Sequence, residues 1–295
     1  LGAVRMEPDA VMLKDVVITS SVAVARKTPV ALSTIEPVFI EERLGTKEFP
    51  EILKSTPGVY ATKQGGGFGD SRINMRGFES ENIAVMVNGV PMNDMEWGGL
   101  YWSNWAGLSD VTRSMQTQRG LGASKVSSPS VGGSINIVTS SVESKKGGSI
   151  SYAMGNDGYN KILFNVSTGM NKDGWAVTLL GAKTWADGYI QATEYEAYNW
   201  FMNVAKRIND NHQLSFTAFG APQWHNKRDN NGMKISEWQM LAQRYMNGES
   251  PYRYNPTYGH GINGERKTID YNSYHKPQLS LNHLWQINDK SSLST

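Results

Sequence analysis

The sequence predicts an α+β domain followed by the first strands of a transmembrane antiparallel β-barrel, and three observations lead to this fold class. The chain of 295 residues is rich in Gly (30), Tyr (13) and Trp (9), while charged residues make up 19%. Its mean hydropathy is −0.45, which suits strands that show an apolar face to lipid and a polar face to a lumen. After residue 141, alternating segments are joined by links that are short and long in turn.

Charge and cysteine content exclude several classes of function. With 29 basic and 27 acidic residues the net charge is +2, so no basic excess is available to bind a nucleic acid. The absence of cysteine excludes zinc–thiolate sites, iron–sulfur clusters and thiol nucleophiles. The five histidines have no metal-ligand spacing, and no catalytic triad or nucleotide-binding loop is present. We therefore expect no enzyme, no catalytic residue, no metal site, no cofactor and no nucleic-acid partner.

Residues 31–141 carry the pattern of a compact α+β unit. The glycine-rich loop at 64–70 has no Lys-Ser/Thr after it and opens no helix, so it is not a phosphate cradle. Asn88-Gly89 lies between two apolar runs and predicts a tight β-hairpin. The expected elements are a short helix over 46–54 and strands over 59–62, 83–87, 90–92, 115–118 and 134–139.

The remaining residues alternate as strands of a barrel wall do. Ile150, Tyr152 and Met154 share one face of the first segment, and five further segments follow before a seventh begins at Ser291. The link over 171–174 is tight, whereas the link over 221–274 is very long. Outer-membrane barrels combine short periplasmic turns with longer external loops. A soluble β-sandwich, the alternative, gives no reason for this alternation.

Four motifs, in this order along the chain, resemble the plug of TonB-dependent outer-membrane transporters. The proline that often follows the second Arg-Gly of the family is Leu121 here. The motifs are Asn74-Met75-Arg76-Gly77-Phe78, Val85-Met86-Val87-Asn88-Gly89-Val90-Pro91, Gln118-Arg119-Gly120 and Gly132-Gly133-Ser134-Ile135-Asn136-Ile137-Val138-Thr139.

The resemblance implies a plug domain inside a barrel of about 22 strands. Only 154 residues follow Ser141, enough for the first six or seven strands and too few to close around a plug. We therefore expect an N-terminal part of a longer protein. It divides into a tether over 1–30, a plug over 31–141 and an incomplete barrel over 142–295.

A segment of the tether resembles a TonB box. It is short, β-branched and flanked by small polar residues, so it suits strand addition to the C-terminal domain of TonB, which an inner-membrane complex energises. An ordinary N-terminal strand is the alternative. The residues of the segment are Asp15, Val16, Val17, Ile18, Thr19 and Ser20.

Two plug arginines are expected to lock the plug to the barrel. Arg76 and Arg119 each precede a glycine in a plug motif, and the family pairs arginines at these places with glutamates of the barrel wall. Bidentate pairing would fix the orientation of the plug. We expect those glutamates beyond residue 295; solvated lumen arginines are the alternative.

The resemblance places ligand contacts on outward plug loops over 63–70, 79–81 and 93–105. These loops contain aromatic residues that could stack on a flat or sugar-like ligand. The alternative is that the rings pack in the plug or against the barrel. The candidate substrate-binding residues are Phe68, Trp97, Tyr101, Trp102 and Trp105.

The function that the resemblance implies is TonB-dependent uptake of a scarce nutrient across the Gram-negative outer membrane. The nutrient could be a metal chelate, haem, vitamin, glycan or peptide. The resemblance also implies contact with outer-membrane lipid, a tether that lies in the periplasm, and, in some members of the family, a surface lipoprotein partner. The alternative function is a plug-bearing receptor or structural subunit of an envelope assembly that transports nothing.

Overall fold

The computed structural model of the chain describes residues 31–45, 47, 49–63, 68, 71–120, 130–139, 145–228, 233–246, 249–288 and 290–295. Two β-sheets dominate, one of five strands and one of nine. We call the unit of residues 31–139 the plug unit and the nine-stranded sheet with its links, residues 145–295, the wall. None of the helices in the described residues is long and apolar enough to cross a membrane.

The plug unit is built on a five-stranded mixed sheet. Its strand order is β1-β6-β7-β4-β5, and a separate antiparallel pair is formed by β2 and β3. β4 and β7 run parallel, and all five residues of β4 are buried. The strands are β1 (Ala31–Ile35), β2 (Val59–Lys63), β3 (Ser71–Met75), β4 (Ile83–Val87), β5 (Val90–Pro91), β6 (Thr112–Arg119) and β7 (Gly133–Thr139).

The hairpin predicted at Asn88-Gly89 is confirmed. β4 and β5 pair in antiparallel fashion around this dipeptide, and both residues have positive φ, 52° and 82°. A two-residue hairpin turn of this type requires positive φ at both positions, which Asn and Gly tolerate.

The helices of the plug unit differ from the expectation. The region predicted as a helix over 46–54 contains a 3₁₀ helix, Phe49–Ser55, and an α-helix, Pro37–Leu44, lies ahead of it. Pro37 opens this α-helix, where a missing N–H costs no hydrogen bond. Gly45, with φ of 54°, ends it. Shorter 3₁₀ helices span Ser80–Asn82, Trp102–Trp105 and Leu108–Val111.

The wall is an antiparallel sheet in which strands follow one another in sequence order. Its path is β18-β17-β12-β11-β10-β9-β8, with β13 joined to β11 and β16, and the six predicted strands and the seventh at Ser291 are confirmed. The nine strands are β8 (Gly147–Met154), β9 (Asn160–Ser167), β10 (Trp175–Ala186), β11 (Tyr195–Arg207), β12 (His212–Gly220), β13 (Gln223–Asn226), β16 (Tyr271–Tyr274), β17 (Gln278–Asn288) and β18 (Ser291–Ser294). Within the link after β12, β14 (Tyr258–His260) and β15 (Arg266–Thr268) form a separate antiparallel pair.

Successive side chains of the wall point to opposite faces. On β10, Trp175 and Leu179 are 45% and 40% exposed, whereas Leu180 is 5% exposed. The exposed face carries the predicted apolar series, including Ile150 and Phe164. The other face packs on the plug unit. This is the two-sided pattern of a barrel wall that has lipid on one side and a filled lumen on the other.

The links of the wall fall at two edges. The links after β9, β11 and β17 are short and lie at one edge, because neighbouring strands are antiparallel. The links after β8, β10 and β12 lie at the opposite edge, which we call the loop edge. The link after β12 contains an α-helix, Ile235–Tyr245, a 3₁₀ helix, Pro251–Arg253, and the strands β13 to β16.

Candidate functional site

The plug unit and the wall share one hydrophobic core. Leu180 of β10, Phe201 of β11 and Phe219 of β12 are buried inward-facing residues of the wall. They belong to the same cluster of buried residues as Leu108 and Val111 of the plug unit. The plug unit is therefore seated by apolar packing against β10 to β12. We call this contact, formed by plug residues 102–111 against β9 to β13 and β16, the seam.

Gly107 marks the closest approach of backbone to wall in the seam. Its φ is 81°, and a Cβ atom added there would lie 2.1 Å from Nδ2 and 2.9 Å from Cβ of Asn199. Real Cβ atoms do not make contacts this short, so no other residue fits without displacing either partner.

An ion pair joins the two units across the seam. Nζ of Lys161, on β9, lies 2.6 Å from Oδ1 of Asp110. The two side chains are 19% and 12% exposed, so water screens the charges weakly. The other oxygen of Asp110, Oδ2, is buried and has no hydrogen-bond partner within the described residues. Lys161 is thus the group that compensates this carboxylate.

A chain of hydrogen bonds crosses the seam from β16 to the plug backbone. Nδ2 of Asn272 donates to Nε2 of His225 at 3.3 Å, and Nδ1 of His225 donates to Oε1 of Gln223 at 2.7 Å. The side-chain nitrogen Nε2 of Gln223 donates in turn to the backbone carbonyl of Ser103 at 3.1 Å. His225 is fully buried. The hydroxyl groups of Ser103 and Tyr274 also bond. This series fixes residue 103 against the wall.

Two of the predicted substrate-binding aromatics form a group near the loop edge, in which Tyr101 is exposed and Trp97 is half-buried. The rings of Trp97 and Tyr101 lie 5.1 Å apart. Nζ of Lys276, from the link between β16 and β17, lies 5.9 Å from the ring centre of Tyr101. We call Trp97, Tyr101 and Lys276 the apex. Sequence reasoning missed Lys276, because its partner is 175 positions away and no local pattern connects them.

Asp94 fixes the turn beneath the apex. Its Oδ1 accepts the backbone N–H groups of Glu96 at 2.9 Å and Trp97 at 3.2 Å. These two bonds, that of Glu96 first, hold the pKa of Asp94 below its ordinary value. The carboxylate therefore stays charged and keeps the loop that carries Trp97 in one shape. The indole N–H of Trp97 is buried without an acceptor in the described part of the protein.

The other three aromatic candidates lie in or beside the seam. Trp102 is buried in the core, edge-on to Phe49 at 6.1 Å. Phe68 stacks on Tyr195 of β11 at 4.3 Å. Trp105 lines a cleft of about 70 Å³ between the units together with Phe68 and Trp102. The five candidates thus divide into two apex residues, two seam residues and Phe68, which lies beside the seam.

Both candidate lock arginines lie within the plug unit and bond to its backbone. Nη1 of Arg119 donates to the carbonyl of Pro57 at 3.0 Å, and Nη1 of Arg76 donates to the carbonyl of Arg119 at 3.5 Å. Arg76 itself has a positive φ of 54°. Pairing of these arginines with wall glutamates stays a prediction.

The TonB-box segment, Asp15 to Ser20, lies outside the described residues, as does the whole of 1–30. Among the residues that are described, no group of three His, Asp or Glu side chains is arranged to hold a metal ion.

Removing Lys161 should loosen the plug more than removing both partners of the ion pair. Lys161→Met leaves the Asp110 carboxylate buried without compensation, a loss of about 3 to 5 kcal/mol. The double variant Lys161→Met, Asp110→Asn should recover most of the lost stability, because it has no uncompensated carboxylate. The measurement is plug unfolding of the purified receptor in urea, followed by tryptophan fluorescence.

The pair of Lys183 and Glu196, 2.9 Å apart on the outer face of the wall, provides a matched control. It is more exposed, so Lys183→Met should destabilise the protein much less than Lys161→Met. Equal losses in the two single variants would show that the seam pair does not hold the plug.

Comparison with known families gives a consistent result. Residues 24–134 match the family model of the TonB-dependent Receptor Plug Domain. A vitamin B12 transporter, BtuB, of Vibrio vulnificus is 26% identical over 191 residues, which cover 62% of this chain and 30% of that protein. A probable TonB-dependent siderophore receptor, PirA, of Acinetobacter baumannii is 28% identical over 200 residues, covering 61% and 26%.

Solved structures show the same fold. The closed form of the ferric-catecholate import receptor Fiu from E. coli K12 superposes with a TM-score of 0.68 at 17% identity, over 92% of this chain and 37% of that one. The siderophore receptor PiuA from Acinetobacter baumannii gives 0.66 at 17% identity, over 92% and 36%. The chain spans between 26% and 37% of the length of these four proteins.

The matched plug domain, the curated relatives and the shared architecture of a plug unit against a partial barrel sheet agree with the motif order of the sequence. Residues 24–134 match the plug domain of TonB-dependent receptors, and the chain is similar in sequence and fold to TonB-dependent outer-membrane receptors.

Proposed function

We propose that this protein takes up a scarce nutrient across the Gram-negative outer membrane, driven by TonB, as the N-terminal part of a plugged barrel. In this proposal residues 1–30 are a periplasmic tether, 31–141 the plug, and 142–295 the first strands of the barrel. The observation that carries the proposal is the seam. In the proposed full barrel, a plug unit that shares a core and a mostly buried ion pair with the wall would close the lumen, so passage would require a supply of energy.

The apex supports a role in ligand capture. Trp97 and Tyr101 offer aromatic faces, and Lys276 adds a positive charge beside them. The group lies near the loop edge, which we propose faces the outside of the cell. Trp102, Trp105 and Phe68 contribute to the seat of the plug rather than to first contact with a ligand.

The proposed energy-coupling partner is the C-terminal domain of TonB, with its inner-membrane complex, acting on Asp15 to Ser20. Outer-membrane lipid would contact the exposed face of the wall, where Ile150 and Leu279 are 77% and 64% exposed. A surface lipoprotein stays an expectation without a specific contact to support it.

The proposal leaves the identity of the nutrient open. The names of the relatives state vitamin B12 for the Vibrio vulnificus protein and a siderophore for the Acinetobacter baumannii protein. At 26% and 28% identity, these names do not fix the ligand of this chain. A receptor or assembly subunit that does not transport is the rival function.

Uptake by cells tests the proposal directly. Cells with the full-length receptor should remove at least one compound from a defined medium, and cells lacking the receptor should leave it behind. The difference should vanish in a strain without TonB, because the closed plug needs that energy. Identical media from all three strains would favour the rival function.

A further inference from the structure

A cavity separate from the apex opens among the links of the loop edge. It has a volume of about 640 Å³ and lies between the link after β10 and the segment over 249–266. Binding sites for small molecules commonly occupy about 300 to 1,000 Å³. None of the three apex residues lines this cavity. The lining residues that matter here are Asp187, Gln191, Glu249, Arg253, Tyr258 and Arg266.

Two hydrogen bonds and one ion pair hold the walls of the cavity in place. The backbone N–H of Gln191 donates to the carbonyl of Arg253 at 2.9 Å, and Nδ2 of Asn255 donates to the carbonyl of Gln191 at 2.9 Å. Nη2 of Arg253 lies 2.7 Å from Oδ1 of Asp157, in the link after β8. Ala192 and Asn255 are almost completely buried. The cavity is therefore preformed, so a ligand would not have to order it.

The charges that line the cavity are balanced. Asp187 and Glu249 oppose Arg253 and Arg266. Both arginines already pair with further carboxylates, Arg253 with Asp157 and Arg266 with Glu194 at 3.3 Å. No positive excess is left to attract an anion such as a metal chelate rich in carboxylates or catecholates. With Asp157 and Glu194 included, four carboxylates face two guanidinium groups, so the cavity suits a ligand that carries no negative charge.

The cavity offers hydrogen-bond donors and acceptors close together, beside an aromatic ring. The guanidinium of Arg266 lies 5.7 Å from the ring centre of Tyr258, within the range of a cation–π interaction. Carboxylates and the amide of Gln191 supply acceptors. Each hydroxyl group of a sugar both donates and accepts, and the C–H face of a sugar ring packs on an aromatic ring.

We propose that this cavity binds a neutral oligosaccharide. As a substrate class for uptake the proposal rests on the proposed function; as a binding site it does not. The saccharide could be a free glycan or the sugar portion of outer-membrane lipopolysaccharide, which share the chemistry of vicinal hydroxyl groups. Asp187 and Glu249 accept from these hydroxyls, Arg253 and Arg266 donate to them, and Tyr258 supplies the stacking surface.

Calorimetry on the full-length receptor tests the proposal, in a detergent without a sugar headgroup. The probes are maltotriose, cellotriose, mannotriose and chitotriose, with polysaccharide released from lipopolysaccharide as a separate arm. At least one probe should bind. Arg266→Lys keeps the charge but loses the planar fork, and Tyr258→Leu loses the ring, so each should weaken binding about tenfold or more. Binding of one of the trisaccharides would identify a free glycan as the source, and binding of the released polysaccharide would identify lipopolysaccharide.

Lys267→Met is the matched control. Lys267 neighbours Arg266, pairs with Glu265 at 2.8 Å and does not line the cavity, so affinity should change less than about twofold. Circular dichroism and the thermal midpoint check that the variants are folded. Failure of every probe to bind, or equal affinity in the wild type, Arg266→Lys and Tyr258→Leu, overturns the proposal.

Citrate is the anionic comparison. Binding of citrate instead of the saccharides, retained in Arg266→Lys, also overturns the proposal, because a site selected by positive charge alone would tolerate lysine. These measurements need neither TonB nor a membrane. Their failure therefore leaves TonB-dependent uptake standing, and loss of uptake in the TonB comparison leaves the saccharide site standing.

Discussion

Gly107→Ala should unseat the plug and make cells leak. The added Cβ would lie 2.1 Å from Nδ2 and 2.9 Å from Cβ of Asn199, and the second of these atoms cannot swing away like the end of a side chain. Overpacking of this kind costs about 1 to 3 kcal/mol, and the left-handed backbone at φ 81° adds about 1 to 2 kcal/mol. Susceptibility to vancomycin, which an intact outer membrane excludes, measures the leak.

Gly89→Ala separates the two contributions. Gly89 has a φ of 82°, almost the same as Gly107, but nothing lies within 4 Å of its added Cβ. Gly89→Ala should therefore show only the destabilisation that comes from the left-handed backbone, with little leakage. Adding Asn199→Ala to Gly107→Ala removes two of the three nearest atoms and should restore part of the barrier. Equal vancomycin susceptibility in Gly107→Ala and Gly89→Ala would mean that the seam is not this close in cells.

Val17→Pro should reduce uptake to the level of a strain that lacks TonB. If residues 15–20 are recognised as an added strand, affinity comes from backbone donors and acceptors in register. Proline removes one donor and fixes the local φ. It should therefore disrupt the backbone hydrogen bonds to the partner strand, whichever side chains the partner recognises. Val17→Ala keeps the donor and should reduce uptake only in part. Initial uptake rates of the compound found by medium depletion provide the measurement.

Ligand affinity is the control for this pair of variants. The predicted TonB-box segment precedes the plug unit in the sequence, whereas the apex and the cavity belong to the loop edge, so the purified receptor should bind ligand equally well with either substitution. Normal uptake by Val17→Pro would remove the TonB-box assignment and favour the receptor that does not transport.

The wall could be predicted from the sequence because strand periodicity is a local property. Alternation at Ile150, Tyr152 and Met154 gives the face of the strand, and the lengths of the links give the edge. The α-helix Pro37–Leu44 was missed although it has a proline at its start and a glycine at its end, the two signals that mark helix limits. Its eight residues are too few to show a clear period.

The seam could not be predicted in the same way. Asp110 and Lys161 are 51 residues apart and Ser103 and Gln223 are 120 apart, and each pair joins a 3₁₀ helix of the plug unit to a strand of the wall. Which residues meet depends on how the sheets are set against each other, and no local pattern records that. The aromatic run over 97–105 indicated where rings occur. It did not indicate that Trp102 is core while Tyr101 is exposed.

The position of β1 has a mechanical consequence. This strand lies at the edge of the plug sheet, joined to β6 through five residue pairs, and most of it is not buried. It is also the first strand of the described residues, so tension applied to the proposed TonB box at residues 15–20 would reach it before the rest of the described plug unit. The strands behind it belong to the core that includes Leu180, Phe201 and Phe219 of the wall. A pulling force should therefore peel β1 from β6 at a lower load than it takes to extract the plug as a whole.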